Sequence, residues 1–183
     1  MRLGSGLTLL LGGARSGKSD LAVRLGAGFD GPVVFVATAE AGDDDMATRI
    51  DRHRAERPAW PTVESPLFGA AEVEEAQDDA LLLVDCMTLL VSNLLLAERP
   101  IADHVRALGA ALAERTGPAV VISNEVGMGI HPETPLGRAY RDELGRANRL
   151  LAEAADEAYL IVAGRALTLQ PVEAPLAPAV PPR

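Results

Sequence analysis

An α/β fold, with a mostly parallel sheet flanked by helices, is what this sequence predicts. Three observations carry the prediction. Short, continuously apolar runs recur along the chain at Leu7–Leu11, Val33–Ala37, Leu81–Val84 and Ala119–Ser123. Runs of that length without polar alternation suit strands buried on both faces. Segments of helical character lie between them, so strand and helix alternate, as a parallel sheet requires. The first run also passes straight into a glycine-rich turn and then a helical pattern.

Taken in order, the elements read as follows. Leu7–Leu11 is the first strand, and residues 16–28 form the helix after the turn. Val33–Ala37 is the second strand. Residues 43–56 read as a charged helix whose opening Asp run suits a helix N-terminus; Pro58 and Pro61 end it. An extended piece at Thr62–Glu64 precedes a modest helix near residues 69–77. Leu81–Val84 is the third buried strand and ends at Asp85. Residues 88–97 and 101–115 read as helices, and Gly117-Pro118 breaks the chain. Ala119–Ser123 is the fourth buried strand. A turn with the sequence EVGMGIHPE leads to a long helix near residues 136–155. Residues 158–163 and 166–169 read as a closing pair of strands.

Residues 1–169 are expected to form one domain, because 183 residues leave little room for two. Residues 170–183 differ: they hold five of the 13 prolines and only two charges. Such a tail suits neither helix nor interior strand, and it is expected to be extended.

Composition excludes several classes. Hydrophobic residues make up 48% and charged residues 23%, ordinary for a globular domain. Aromatics are only 3%, so the core must be built from Leu, Val and Ala. The net charge of −9 argues against nucleic acid as a partner, which demands a basic face. A phosphate ligand must therefore be held by a local site against the overall field. The single cysteine, Cys86, permits no intramolecular disulfide and no cysteine-built zinc cluster. It lies in an apolar run and reads as a buried, inert thiol. No secretory signal and no apolar stretch of membrane-spanning length is apparent, so a cytoplasmic location is expected.

The turn after the first strand is Gly12-Gly13-Ala14-Arg15-Ser16-Gly17-Lys18-Ser19. It matches G-x-x-x-x-G-K-[ST] in the required strand–turn–helix context, the signature of a P-loop NTPase. Glycines let successive N–H groups turn inward toward an anion. The new helix adds its positive N-terminal end. Lys18 is positioned to reach the β- and γ-phosphates, and Ser19 to ligate Mg²⁺. Asp85, at the end of a buried strand, supplies the second element: a carboxylate that can hold the same ion. These residues point to a nucleoside triphosphate and leave the phosphoryl acceptor open.

The loop GGARSGKS and three later segments together resemble one family. The segments are VATAEAGDDDMATRIDRHRAERP (36–58), LLLVDCMTLLVSNLL (81–95) and SNEVGMGIHPETPLGRAYRDELGRANRLLAEAADEAYLIVAG (123–164). The chain is similar to the bifunctional adenosylcobinamide kinases/adenosylcobinamide-phosphate guanylyltransferases of cobalamin biosynthesis over about residues 7–169. The resemblance implies a RecA-like P-loop fold, a homotrimer and two reactions. In the first, ATP or GTP phosphorylates the hydroxyl on the aminopropanol arm of adenosylcobinamide. In the second, GTP gives GMP to an enzyme histidine, and the GMP passes to adenosylcobinamide phosphate to yield adenosyl-GDP-cobinamide.

The chain has three histidines. A guanylyl carrier needs an imidazole nitrogen free to attack the α-phosphorus. His53 lies in the segment that matches the family's guanylylated stretch. Some members carry two adjacent histidines there and use the first; this chain has Arg52 and then His53. Met46, Ile50 and His53 also share one helical stripe, the pattern of a packed core position. Arg49, Arg52, Arg54 and Arg57 can pair with Asp45, Asp51 and Glu56 at helical spacings, or can hold a triphosphate. His104 reads as solvated on a surface helix. His131 reads as an exposed loop residue near a strand's carboxyl end, where open α/β sheets bind ligands. The resemblance further implies nucleotide contacts at Thr38, Ala39 and Glu40, along Ala55, Glu56, Arg57 and Pro58, and at Glu64. Asn124, Glu125, Gly127 and Gly129 form a strand-end turn that either serves backbone geometry or admits a bulky corrinoid. Arg138, Arg141, Arg146 and Arg149 read as a solvated helix face, with Asp142 and Arg146 spaced to pair.

Overall fold

The computed structural model describes residues 3–4, 6–40, 48, 54–55 and 57–172. Among the described residues the delimited elements are β1 (Leu7–Leu11), α1 (Lys18–Ala27), β2 (Val33–Ala37), β3 (Thr62–Glu64), α2 (Ala70–Glu75), β4 (Leu81–Asp85), α3 (Met87–Leu96), α4 (Ile101–Glu114), β5 (Ala119–Ile122), α5 (Pro135–Ala154), β6 (Glu157–Val162) and β7 (Arg165–Leu169). The sheet order is β3-β2-β4-β5-β1-β6-β7. Among the described residues, six strands run parallel and β7 alone is antiparallel, in a hairpin with β6. This is the expected α/β architecture.

The apolar runs form strands because both faces of the sheet are covered. Side chains alternate across a strand. Leu7, Leu9 and Leu11 pack with Val73, Met87, Leu90, Val105, Leu108, Leu144 and Leu151 from α2 to α5. Leu10 points the other way and joins Leu25 of α1, Phe35, Leu83, Val120 and Ile161, with Trp60 and Phe29 against them. The central strands β1, β4 and β5 are buried along nearly their whole length.

The helix expected from residue 16 begins at Lys18, because Gly17 takes a left-handed conformation (φ 97°) and still belongs to the turn. Thr48, Arg54 and Ala55 are helical. The rest of the charged helix expected over 43–56 lies outside the described residues, and so does most of the proline-rich tail. Among the described residues, no helix is long and apolar enough to cross a membrane.

His104 departs from its reading as a solvated residue. It is half-buried, and its Nε2 lies 2.8 Å from the Phe68 carbonyl oxygen, joining α4 to the segment before α2. The expected Asp142–Arg146 pair is also replaced. Arg141 takes Asp142, and Arg146 takes Glu143 one turn away. Arg141 also reaches the exposed His131, 2.7 Å from its Nδ1.

Candidate functional site

β1 is the second parallel strand in from the β7 edge, and its carboxyl end opens into the Gly12–Ser19 loop. Gly12 has φ 153°, and a Cβ there would stand 2.3 Å from the Ile161 carbonyl oxygen, so β6 leaves room for glycine alone. Arg15 (φ 57°) and Gly17 (φ 97°) give the loop its further reversals. The two-residue turn between β6 and β7, Ala163-Gly164, has positive φ at both positions. It lies against the loop, and the Gly164 N–H donates to the Ser16 carbonyl over 2.9 Å.

Lys18 is buried inside this loop. Its ammonium donates to the carbonyls of Gly12 (2.8 Å) and Gly13 (2.7 Å) and to Ser16 Oγ (3.4 Å). Burial pushes its pKa down, while the neighbouring Cys86 and Asp85 oppose that shift. Backbone oxygens thus hold a cation at the point where a phosphate chain would arrive. Ser19, next in sequence, opens α1 half-buried.

Asp85 ends β4. Its Cα registers with Ala37 on one side and Ile122 on the other, and the Thr38 N–H donates to its carbonyl. A cis peptide joins it to Cys86. Arg57 approaches from the segment before β3. Its guanidinium lies 3.6 Å from the Phe35 ring centroid and donates to Thr62 Oγ1 over 2.9 Å. Burial, then Arg54, hold Arg57 below the usual arginine value, and Asp85 opposes them. Lys18, Asp85 and Arg57 thus share one electrostatic neighbourhood across β1, β4 and β2.

Thr38 is fully buried, and its hydroxyl is committed to Cys86. It donates to the Cys86 carbonyl (2.7 Å) and accepts from the Cys86 N–H (2.9 Å). Ala39 and Glu40 then lead outward, Glu40 exposed. Glu64, at the end of β3, forms an ion pair with Arg54. Ala55 and Pro58 are exposed nearby in sequence, and His53 and Glu56 lie outside the described residues. Burial pushes the Cys86 thiol up, which keeps it protonated as an inert thiol would be.

Several organising residues escaped the sequence reading. Asn93 on α3 donates to the carbonyls of Thr38 and Pro66, both at 2.9 Å, and ties the exits of β2 and β3 together. Its signal was the one amide in a helix whose other residues are apolar or hydroxyl-bearing. Buried Ser123 donates to Asn148 Oδ1 (2.6 Å), and Asn148 donates to the Asn124 carbonyl (3.0 Å). This fixes the exit of β5 against α5. The Glu125 N–H then donates to Gly12 O over 3.1 Å, the oxygen that also receives Lys18.

Residues 8–169 match the family model described as "Cobinamide kinase / cobinamide phosphate guanyltransferase". The chain belongs to this family. It is 45% identical over 166 residues to the bifunctional adenosylcobalamin biosynthesis protein CobP of Pseudomonas aeruginosa, covering 88% of this chain and 96% of that protein. It is 43% identical over 176 residues to the bifunctional adenosylcobalamin biosynthesis protein CobU of Salmonella typhimurium, with 86% and 96% covered. Membership makes it an enzyme of the bifunctional kinase and guanylyltransferase class. Solved structures agree at the level of fold. A Pyrococcus horikoshii OT3 protein superimposes with TM-score 0.58 at 12% identity over 95% of this chain and 90% of its own. The type III secretion ATPase EscN of enteropathogenic E. coli gives 0.53 at 15% identity, over 87% of this chain and 43% of its own. The fold is thus the RecA-like P-loop kind read from the sequence.

Proposed function

We propose that this enzyme phosphorylates adenosylcobinamide from ATP or GTP, then guanylylates the product from GTP to give adenosyl-GDP-cobinamide. The observation that carries the reading is the Gly12–Ser19 loop closed around the Lys18 ammonium, in a chain whose residues 8–169 match the cobinamide kinase family.

In the kinase step the N–H groups of Gly13 to Ser19 and the Lys18 ammonium hold the triphosphate. Lys18 exchanges the Gly12 and Gly13 carbonyls for β- and γ-phosphate oxygens. Charge developing on the transferred group meets a cation already in place, and this lowers the barrier. The acceptor hydroxyl attacks the γ-phosphorus and gives up its proton to a phosphate oxygen or water, the bond to the β-bridging oxygen breaks, and the nucleoside diphosphate leaves. Mg²⁺ fits the donors at hand. Ser19 supplies a hydroxyl and Asp85 a carboxylate, oxygen ligands that leave positions for phosphate and water. When bound, the ion would neutralise charge on the phosphate oxygens.

In the transferase step a His53 ring nitrogen attacks the α-phosphorus of GTP. A P–N bond forms and pyrophosphate departs. A phosphate oxygen of adenosylcobinamide phosphate then attacks that phosphorus, breaking the P–N bond and freeing His53. Arg57, with Thr38, Ala39, Glu40, Ala55, Glu56, Pro58 and Glu64, would form the surround of this nucleotide. Thr38 acts there through the Cys86 peptide, since its hydroxyl is already occupied.

Residues 1–169 act as one domain in this proposal, with 170–183 an extended tail, in a cytoplasmic homotrimer. Incubation with GTP and Mg²⁺ followed by intact-mass spectrometry tests the reading. A GMP adduct mapping to His53, acid-labile and absent from His53→Ala, is expected. No adduct, or one indifferent to that substitution, would refute the transferase assignment.

A further inference from the structure

Resting on that reading, we infer that the loop from Asn124 to Thr134, with Leu136 at the start of α5, is the docking surface for the corrinoid ring of the acceptor. Nothing in the P-loop chemistry requires this loop, yet its position is set by topology. β5 lies between β1, which carries the phosphate loop, and β4, which carries Asp85. Ile122 registers with both Leu10 and Asp85. A hydroxyl that attacks a γ-phosphate held by Lys18 beside Asp85 therefore arrives over the end of β5. The macrocycle behind that hydroxyl must rest on what leaves β5.

What leaves β5 is apolar and displayed. Met128 is 78% exposed, Ile130 95% and Leu136 57%. Three such side chains lie within nine residues of one loop and helix start, and displayed apolar side chains concentrated in one segment mark binding surfaces. The loop is also braced rather than collapsed. Glu125 is tied to Gly12, and the Gly127 N–H donates to Glu125 Oε1 over 2.5 Å. Arg138 donates to the carbonyls of Pro132 (3.1 Å) and Glu133 (2.7 Å), and Arg141 holds His131. Anchored at both ends, the segment holds its apolar side chains outward in advance, which reduces the ordering cost of binding. A broad, methyl-bearing macrocycle with amide arms matches an exposed methionine and isoleucine on a polar loop. The tie between Glu125 and Gly12 makes the surface continuous with the phosphate loop.

The test is the double variant Met128→Ser/Ile130→Ser, with Met128→Leu/Ile130→Leu as control. Cobinamide binding is read by its visible absorbance in equilibrium dialysis. GTP affinity, GMP labelling and sedimentation are measured on the same samples. The serine pair should weaken cobinamide binding about tenfold, leave GTP affinity and labelling within about twofold, and leave the sedimenting species unchanged; the leucine pair should bind as wild type. Unchanged cobinamide affinity in the serine pair would overturn the inference. So would a change in assembly state that accounts for the loss, because the patch would then be a contact between copies of this chain. If wild type takes up no cobinamide at all, the functional reading itself fails, whereas loss of the loop's role alone leaves wild-type uptake intact.

Discussion

Thr38 and Cys86 exchange two hydrogen bonds across 48 residues of sequence: the threonine hydroxyl donates to the Cys86 carbonyl and accepts from its N–H. This clamp sits one residue beyond Asp85, so it sets the direction in which the carboxylate leaves β4. Thr38→Val keeps the shape and removes both bonds; the Cys86 carbonyl keeps the Leu90 N–H, but the Cys86 N–H loses its acceptor. A loss of about 2 kcal/mol in chemical denaturation is expected, with kinase kcat falling more than nucleotide KM rises. Thr38→Ser should recover most of both. A valine variant as stable and active as wild type would show that the clamp does not act on Asp85.

Gly12→Ala introduces a methyl where only 2.3 Å separates the position from the Ile161 carbonyl oxygen, at a φ of 153°. The loop must open to accept it, at a strain cost of about 1–3 kcal/mol or more. Binding of a fluorescent GTP analogue should weaken at least about tenfold, while the far-ultraviolet circular dichroism stays that of the wild type. Unaltered affinity would mean that the loop tolerates a displaced first residue.

The pH dependence of nucleotide affinity follows from Lys18. Burial lowers its pKa in the free enzyme, and triphosphate binding favours the charged form. Affinity is therefore full below the free-enzyme pKa and declines as pH rises through it, earlier than an ordinary lysine at 10.5 would allow. Titration of GTP binding from neutral to alkaline pH should show this decline. Lys18→Arg, which stays charged, should bind more weakly at neutral pH and lack the alkaline fall. A wild-type curve flat to the ordinary lysine range contradicts the assignment.

Gly26 of α1 faces the only tryptophan. A Cβ there would stand 2.7 Å from Trp60 Cη2 and 2.9 Å from Leu83 Cδ1. Gly26→Ala gains helix propensity but forces the indole outward, and overpacking should win with a net cost of about 1–3 kcal/mol. The intrinsic emission should shift to the red. Emission unchanged from wild type would place the strain elsewhere.

Most of the fold was legible because its signals are local. Four apolar runs without alternation marked the buried strands, and Gly12 to Ser19 named the phosphate loop by itself. The final strand pair was visible from Ala158 onward as a second apolar run so soon after a first. Pairings between distant segments were not legible. No periodicity tells Thr38 that Cys86 is its partner, or His104 that the Phe68 carbonyl will draw it out of water. Asp142 had three cations near it on the helix, Arg138 and Arg146 one turn to either side and Arg141 beside it; the Pro132 and Glu133 carbonyls take Arg138, Glu143 takes Arg146, and spacing alone could not choose Arg141. Arg115 reads as a plain helix-end charge, yet it donates to the carbonyls of Val73, Gln77 and Ala80 and closes the link between α2 and β4.

The tie from Gly164 to Ser16 joins the final hairpin to the first loop. A ribosome releases residue 16 nearly 150 residues before residue 164 follows it out. Through almost the whole of synthesis, then, the turn that is to grip nucleotide lacks one of its walls. Premature truncation anywhere before β7 should yield a chain that never acquires that grip, so damaged or unfinished copies would not sequester GTP.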